Sequence, residues 1–172
     1  MNIVLHFPST IEDSPMGKLY LLYREAVFMG KNYEIILVAI DGSDASRKAF
    51  ERAVKLAKEN DAKLILTHVI DSRTYTTPQA YDKLLIERER EYVNEFMGQY
   101  LEDAKEAGIK DCETLIEFGS PRVKIAKDIV KRVKANLIIC GATGLKAVER
   151  FLIGSVSESI VRYAPCDVLV VR

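Results

Sequence analysis

The sequence predicts an α/β protein, a single-domain, open, doubly wound sheet of five parallel strands flanked by helices. Three observations carry this. Apolar runs of strand length recur at 35–40, 64–70, 114–118, 137–140 and 168–171. Most are continuous rather than alternating, the pattern of strands buried on both faces. Helical periodicities separate them, and strands alternating with helices imply right-handed crossovers and a parallel sheet covered on both sides.

The elements follow in order. After the first run, Ser43 is placed to cap a helix in which Phe50, Ala53, Val54 and Ala57 recur at helical spacing. After the second, a longer charged helix over roughly 79–107 sets Leu85, Val93, Phe96, Tyr100 and Ala104 near one face, and Gly108 stops it. Ser120-Pro121 opens a third helix with serine at the cap and proline at the first helical position, its apolar stripe read as Val123, Ala126, Val130 and Val133. A fourth, over 156–163, has Ser155 as its cap. The closing run, 168–171, is expected to lie at a sheet edge, an association hazard unless something covers it.

Residues 1–31 read as an extension distinct from the domain at 32–172. The stretch 1–14 has no strong periodicity, whereas Met16, Leu19, Leu22, Tyr23, Ala26 and Val27 trace a short amphipathic helix. A helix of that length is marginal alone in water.

Composition narrows the function classes. The 172 residues carry 25 basic and 25 acidic side chains, so no net field steers the chain to nucleic acid or an anionic membrane. Cys112, Cys140 and Cys166 are widely separated, with no pairing or histidine spacing suited to zinc, and read as reduced thiols. No apolar stretch reaches membrane length and no secretory segment is evident, which gives an expectation of a cytoplasmic protein.

The densest chemical signal is Gly141-Ala-Thr-Gly144, nine residues, then Gly154-Ser155. Glycine supplies tight turns and lets backbone approach an anion with no Cβ in the way. The N–H groups opening the following helix have no intrahelical partner, and with the helix dipole they favour phosphate at Gly154, Ser155, Val156 and Ser157. Open parallel sheets bind ligands beyond the carboxyl ends of their strands, where strand order reverses. Asp41-Gly-Ser43, Val69-Ile-Asp71 and Gly141 each close a strand run, so three strand ends converge on one crevice.

The glycine pattern, the opening Ile36-Leu-Val-Ala-Ile-Asp41-Gly-Ser43 and the ending from Ser157 to Val171 together resemble the ATP-binding branch of the universal stress protein family, from about residue 32 onward. The resemblance implies a Rossmann-like sheet of the adenine nucleotide alpha hydrolase kind, a homodimer through the C-terminal edge strand, and ATP, with Mg or Mn as a conditional companion. It assigns Asp41 to the adenosine end and Val69 to reading adenine by its backbone N–H and C=O. Gly141 and Gly144 admit ribose and phosphates, Gly154, Ser155, Val156 and Ser157 hold phosphates, and Ala39, Ile40 and Ala142 complete the set. From the residues alone, Asp41 serves equally as a strand-end turn residue and Val69 as a core valine.

Catalytic parts are missing from the pattern. There is no Walker lysine motif, no nucleophile elbow and no kinase-type loop, and Asp41-Gly-Ser-Asp-Ala-Ser46 lacks the paired glycines of an ATP pyrophosphatase loop. His68 sits within the second apolar run as a core histidine rather than a general base, and His6 lies in the extension. Lys146 and Arg150 are either phosphate partners or solvated loop charges. The acidic run Glu87, Glu89, Glu91 and Glu95, interleaved with Arg88 and Arg90, is a solvated helical face. The expected function is a nucleotide-binding regulatory or stress-response module acting on an unidentified protein partner. The alternative is a slow ATP-hydrolysing or adenylyl-handling enzyme.

Overall fold

The computed structural model describes residues 3–6, 32–71, 80–145 and 153–172. Its elements are β1 (Ile3–His6), β2 (Ile35–Ala39), α1 (Asp44–Asn60), β3 (Lys63–Asp71), α2 (Ala80–Glu106), β4 (Cys112–Gly119), α3 (121–132), β5 (Leu137–Gly141), α4 (Ser155–Tyr163) and β6 (Asp167–Val171). The five expected strands are present as β2 to β6, all parallel, in one sheet of order β1-β6-β5-β2-β3-β4. The chain runs outward from β2 through β3 to β4, then returns to β5 on the other side of β2. Strand order therefore reverses between β2 and β5, and the crevice of such a sheet opens beyond their carboxyl ends.

Burial explains the continuous apolar runs. Ile36, Leu64, Leu66 and Ile139 pack on one face with Phe50 and Ala53 of α1 and Val93, Met97 and Tyr100 of α2. Leu37, Ile65, Ile138 and Val168 pack on the other with Ile125 and Ile129 of α3 and Ile160 of α4. A strand covered by helices on both sides has no polar face to alternate with.

The ends of the first two helices match the sequence expectation. Ser43 is extended and accepts the Ser46 N–H, and Gly108 at φ +90° turns α2 off, its N–H bonded to the Lys105 carbonyl at 2.8 Å.

Ser120 and Pro121 take the cap and first helical positions expected, although the Ser120 hydroxyl makes no capping bond. Three expectations are corrected. Within α3, Lys124–Ile129 is a π-helical stretch, and the stripe falls on Ile125, Ala126, Ile129 and Val130, leaving Val123 46% exposed. The wider i→i+5 turn advances the helix past the 3.6-residue period from which Val123 was read as inward. The cap of α4 is Gly154 rather than Ser155, because Gly154 is the last extended residue, at φ −68° and ψ 153°, and Ser155 already lies in the helix.

The third correction concerns the sheet edge. β6 is not terminal: β1 pairs with it in parallel, Ile3 opposite Val168 and His6 opposite Val171. A four-residue strand is too short to raise a periodic signal, and only the ready-made hydrogen-bonding edge of β6 organises it. The amphipathic pattern at 16–27 lies outside the described residues.

Candidate functional site

A cleft of about 400 Å³ opens at the carboxyl ends of β2, β3 and β5, closed on one side by the start of α4. Ten of the eleven sequence-predicted residues line it: Ala39 at the end of β2 with Ile40 and Asp41 just beyond, Val69 in β3, Gly141 at the end of β5 with Gly144 beyond it, and Gly154, Ser155, Val156 and Ser157 at α4. Ala142 does not line it. Both of its backbone groups are used internally, the N–H to the Val171 carbonyl at 2.7 Å and the C=O by the Gly154 N–H at 2.6 Å.

That second bond decides which donors remain. Gly154 spends its N–H on Ala142, and the first bond within α4 runs from the Glu158 N–H to the Gly154 carbonyl at 2.8 Å. The N–H groups of Ser155, Val156 and Ser157 thus have no partner among the described residues, at the positive end of a helix dipole and on the cleft wall. Ser157 is buried, and its hydroxyl donates to the Gly141 carbonyl at 2.6 Å, which ties α4 to the end of β5. Its side chain positions the helix; its backbone donor faces the cleft.

The glycines divide by role. A Cβ on Gly141 would come within 2.7 Å of the Ala45 carbonyl carbon and 2.9 Å of the Ser46 nitrogen, so its bare Cα lets α1 pack over β5 rather than opening the cleft. A Cβ on Gly144 would stand 2.6 Å from Asp41 Oδ2, across the cleft mouth. At Gly154 it would press on the Ala142 carbonyl oxygen at 3.3 Å.

Asp41 takes the turn role that the sequence allowed and leaves one carboxylate oxygen uncommitted. Its Oδ1 accepts the Ser43 N–H at 3.0 Å and the Ser43 hydroxyl at 2.6 Å, fixing a turn in which Gly42 takes φ +82°. Its Oδ2 lies beneath Gly144 with no hydrogen-bond partner among the described residues.

Val69 gains a physical reason for its assignment. Leu64 donates to Asp111 on the β4 side and Lys63 to Glu34 on the β2 side, so the odd residues of β3 turn their backbone groups towards β2. Pairing with β2 ends at Ala39 opposite Thr67, and a last bond joins the Ile40 N–H to the Thr67 carbonyl at 2.9 Å. β3 continues to Asp71. The N–H and C=O of Val69 therefore face the cleft with no strand beside them.

His68 is the satisfied core histidine expected, and it also lines the cleft. Its Nδ1 bonds the Ile40 carbonyl at 2.7 Å, and its ring meets Phe96 edge-on with centroids 5.3 Å apart. A carbonyl only accepts, so Nδ1 carries the proton. Burial lowers the pKa, against the opposing pull of the Ile40 carbonyl, Asp41 and Glu89, and favours the neutral ring.

Ser46, Asp71, Pro121, Ile125, Thr143 and Leu145 also line the cleft and were not in the predicted set. Asp71 carried a signal as a carboxylate closing a strand run. Ile125 carried none, since its place depends on the π-helical turn. Cys140 forms part of the floor with its thiol pushed up to about 12 by burial, which makes it a packing group rather than a nucleophile. Lys146 and Arg150 lie outside the described residues. No cluster of metal-ligating side chains occurs among the described residues.

The family model described as the universal stress protein family matches residues 32–172. The chain belongs to the universal stress protein family. Two curated relatives that carry the family's name, from Staphylococcus aureus strains USA300 and NCTC 8325, are each 54% identical over 140 residues, 81% of this chain and 84% of theirs. Among solved structures, universal stress protein UspA from Lactobacillus plantarum is 32% identical with a TM-score of 0.76, covering 83% of this chain and 100% of that one. A universal stress protein crystallised in complex with cAMP is 28% identical with a TM-score of 0.65, over 83% of this chain and 99% of that one. The family's α/β sheet and this chain's β2 to β6 are thus the same architecture.

Proposed function

We propose that the chain is an adenine-nucleotide-binding regulatory module that takes ATP, with Mg or Mn as a conditional companion of the nucleotide, and signals by changing its affinity for a protein partner. The observation that carries this reading is the set of unpaired N–H groups at Ser155, Val156 and Ser157, facing a cleft whose other walls offer Asp41 Oδ2 and the open backbone edge of Val69. Anion donors suit phosphates, a carboxylate acceptor suits ribose hydroxyls, and an adjacent donor and acceptor suit the edge of adenine. A cleft of about 400 Å³ is of ligand size. The cAMP complex of a family member supports an adenine nucleotide in the same fold. Domain 32–172 is the proposed binding unit, working in the cytoplasm where ATP is supplied.

A homodimer through the β6 edge is part of the proposal, and it competes with β1, which holds that edge within the chain. Two copies that pair β6 with β6 must first release β1. Light scattering on the full chain and on residues 32–172 tests this, with a greater dimer fraction expected for the shorter chain. An equal fraction removes the competition.

The binding test is direct. The purified protein is denatured, released nucleotide is identified by ion exchange, and ATP is titrated calorimetrically into the stripped protein and into the Gly144→Glu, Ser155→Ala variant. Binding that is lost in the variant, with ATP recovered intact after hours, supports the module. A folded wild type that binds no adenylate overturns it.

A further inference from the structure

We propose that His68 is a positioning residue that keeps the base-reading edge of the cleft open by occupying the one acceptor that would otherwise close it. The inference rests on the proposed role of Val69 and extends it to a side chain that touches no ligand in that reading.

A parallel ladder advances by a fixed rule. A residue whose N–H bonds the carbonyl of one neighbour receives, at its own carbonyl, the N–H two residues further along that neighbour. Ile40 obeys the first half, donating to Thr67 at 2.9 Å. The second half would send the Val69 N–H to the Ile40 carbonyl. That bond is absent, and the Ile40 carbonyl instead accepts His68 Nδ1–H at 2.7 Å.

The substitution matters because Ile40 is buried, and a buried carbonyl requires a donor. With His68 supplying it, the strands part at Ile40 without leaving an orphaned acceptor. Val69 keeps its N–H and C=O free on the cleft side. Phe96 of α2 sets the ring from behind, edge-on at an interplanar angle of 86°, which fixes the direction in which Nδ1 points. The structural alternative is a histidine that merely fills space between β3 and α2. The two differ in one respect: a space-filler has no effect on whether the Val69 amide is open.

Remove the imidazole and keep the bulk, as in His68→Leu, and the Ile40 carbonyl loses its donor while the Val69 N–H stands in register to replace it. The ladder gains a rung and the base loses its donor. In His68→Asn the side-chain amide nitrogen takes the place of Nδ1 and restores the diversion.

The experiment reads Val69 amide hydrogen exchange by NMR in the full-length wild type, His68→Leu and His68→Asn, and titrates each with ATP and with 1-deaza-ATP, which keeps the 6-amino group but lacks the N1 acceptor that the Val69 N–H would serve. In the wild type, Val69 is expected to exchange much faster than Leu66, which lies within the ladder, with His68 in its Nδ1–H tautomer. In His68→Leu, exchange at Val69 slows at least tenfold, ATP affinity falls at least tenfold, and the preference for ATP over 1-deaza-ATP is lost. His68→Asn stays within threefold of wild type in all three. Wild-type protection at Val69 equal to that at Leu66 overturns the proposal, as does ATP affinity unchanged in His68→Leu. If the wild type binds no adenylate, the nucleotide reading fails by itself and the exchange arm still decides whether His68 holds the edge open.

Discussion

The two ends of the cleft are built by different means. At the α4 end, the cleft depends on particular residue types: glycines at 144 and 154 where a Cβ would crowd Asp41 or the Ala142 carbonyl, and a helix start whose first N–H groups have no partner among the described residues. At the Ile40–Val69 end, the open edge is made of backbone, exposed because β2 stops while β3 runs on. The first kind of site is written in side chains or their absence. The second is written in strand lengths, and one imidazole maintains it.

That difference predicts how substitutions behave. The largest effect is expected at Gly141, which belongs to the fold although it sits in the glycine motif. Gly141→Val drives a side chain into the backbone of Ala45 and Ser46, which cannot yield as a flexible side chain would, and costs about 3 kcal/mol or more of stability. Urea unfolding measures it; an unchanged midpoint would return Gly141 to a purely ligand-facing role.

Gly144→Glu should separate binding from folding. Its nearest neighbour is the tip of the Asp41 side chain, which can move, so the fold survives. The added carboxylate beside Asp41 and the phosphate donors lowers ATP affinity about 100-fold, near 3 kcal/mol. Calorimetry paired with circular dichroism distinguishes this from unfolding, and near wild-type binding would place the phosphates elsewhere.

Ser157→Ala sharpens the division within α4. The variant removes a donor from the buried Gly141 carbonyl and lowers stability by about 1–2 kcal/mol, with ATP affinity within threefold because the Ser157 backbone N–H remains. Tenfold weaker binding at unchanged stability would make the hydroxyl itself a ligand. The smallest effect is expected from Val123→Thr. Its exposed place on α3, contrary to its sequence period, keeps the change within about 0.5 kcal/mol by thermal unfolding.

Much of this was readable from sequence. The glycine motif, the strand-end aspartate at 41 and the continuous apolar runs located the sheet and ten of the cleft residues, because buried parallel strands and tight turns restrict residue type. The packing demand on Gly141 was not legible, since the atoms that a Cβ would strike belong to α1, nearly a hundred residues away in sequence. Ser157 was marked as a phosphate residue, and only the contact with Gly141 shows where its hydroxyl is spent.

Strand β1 and the open edge of Val69 mark the limit. Residues 3–6 carry no periodic signal, and they form a strand because β6 offers an unpaired row of donors and acceptors at matching register. Val69 reads as a core valine because a sequence does not state where neighbouring strands part. By itself the sequence determined the α/β class, the five-strand core, the family and the glycine motif at the strand end, all of which rest on local side-chain chemistry and period. Only the tertiary structure decided which backbone groups stay unpaired, which glycine serves packing, and what covers the final strand, because each depends on hydrogen bonds and contacts between segments far apart in the chain.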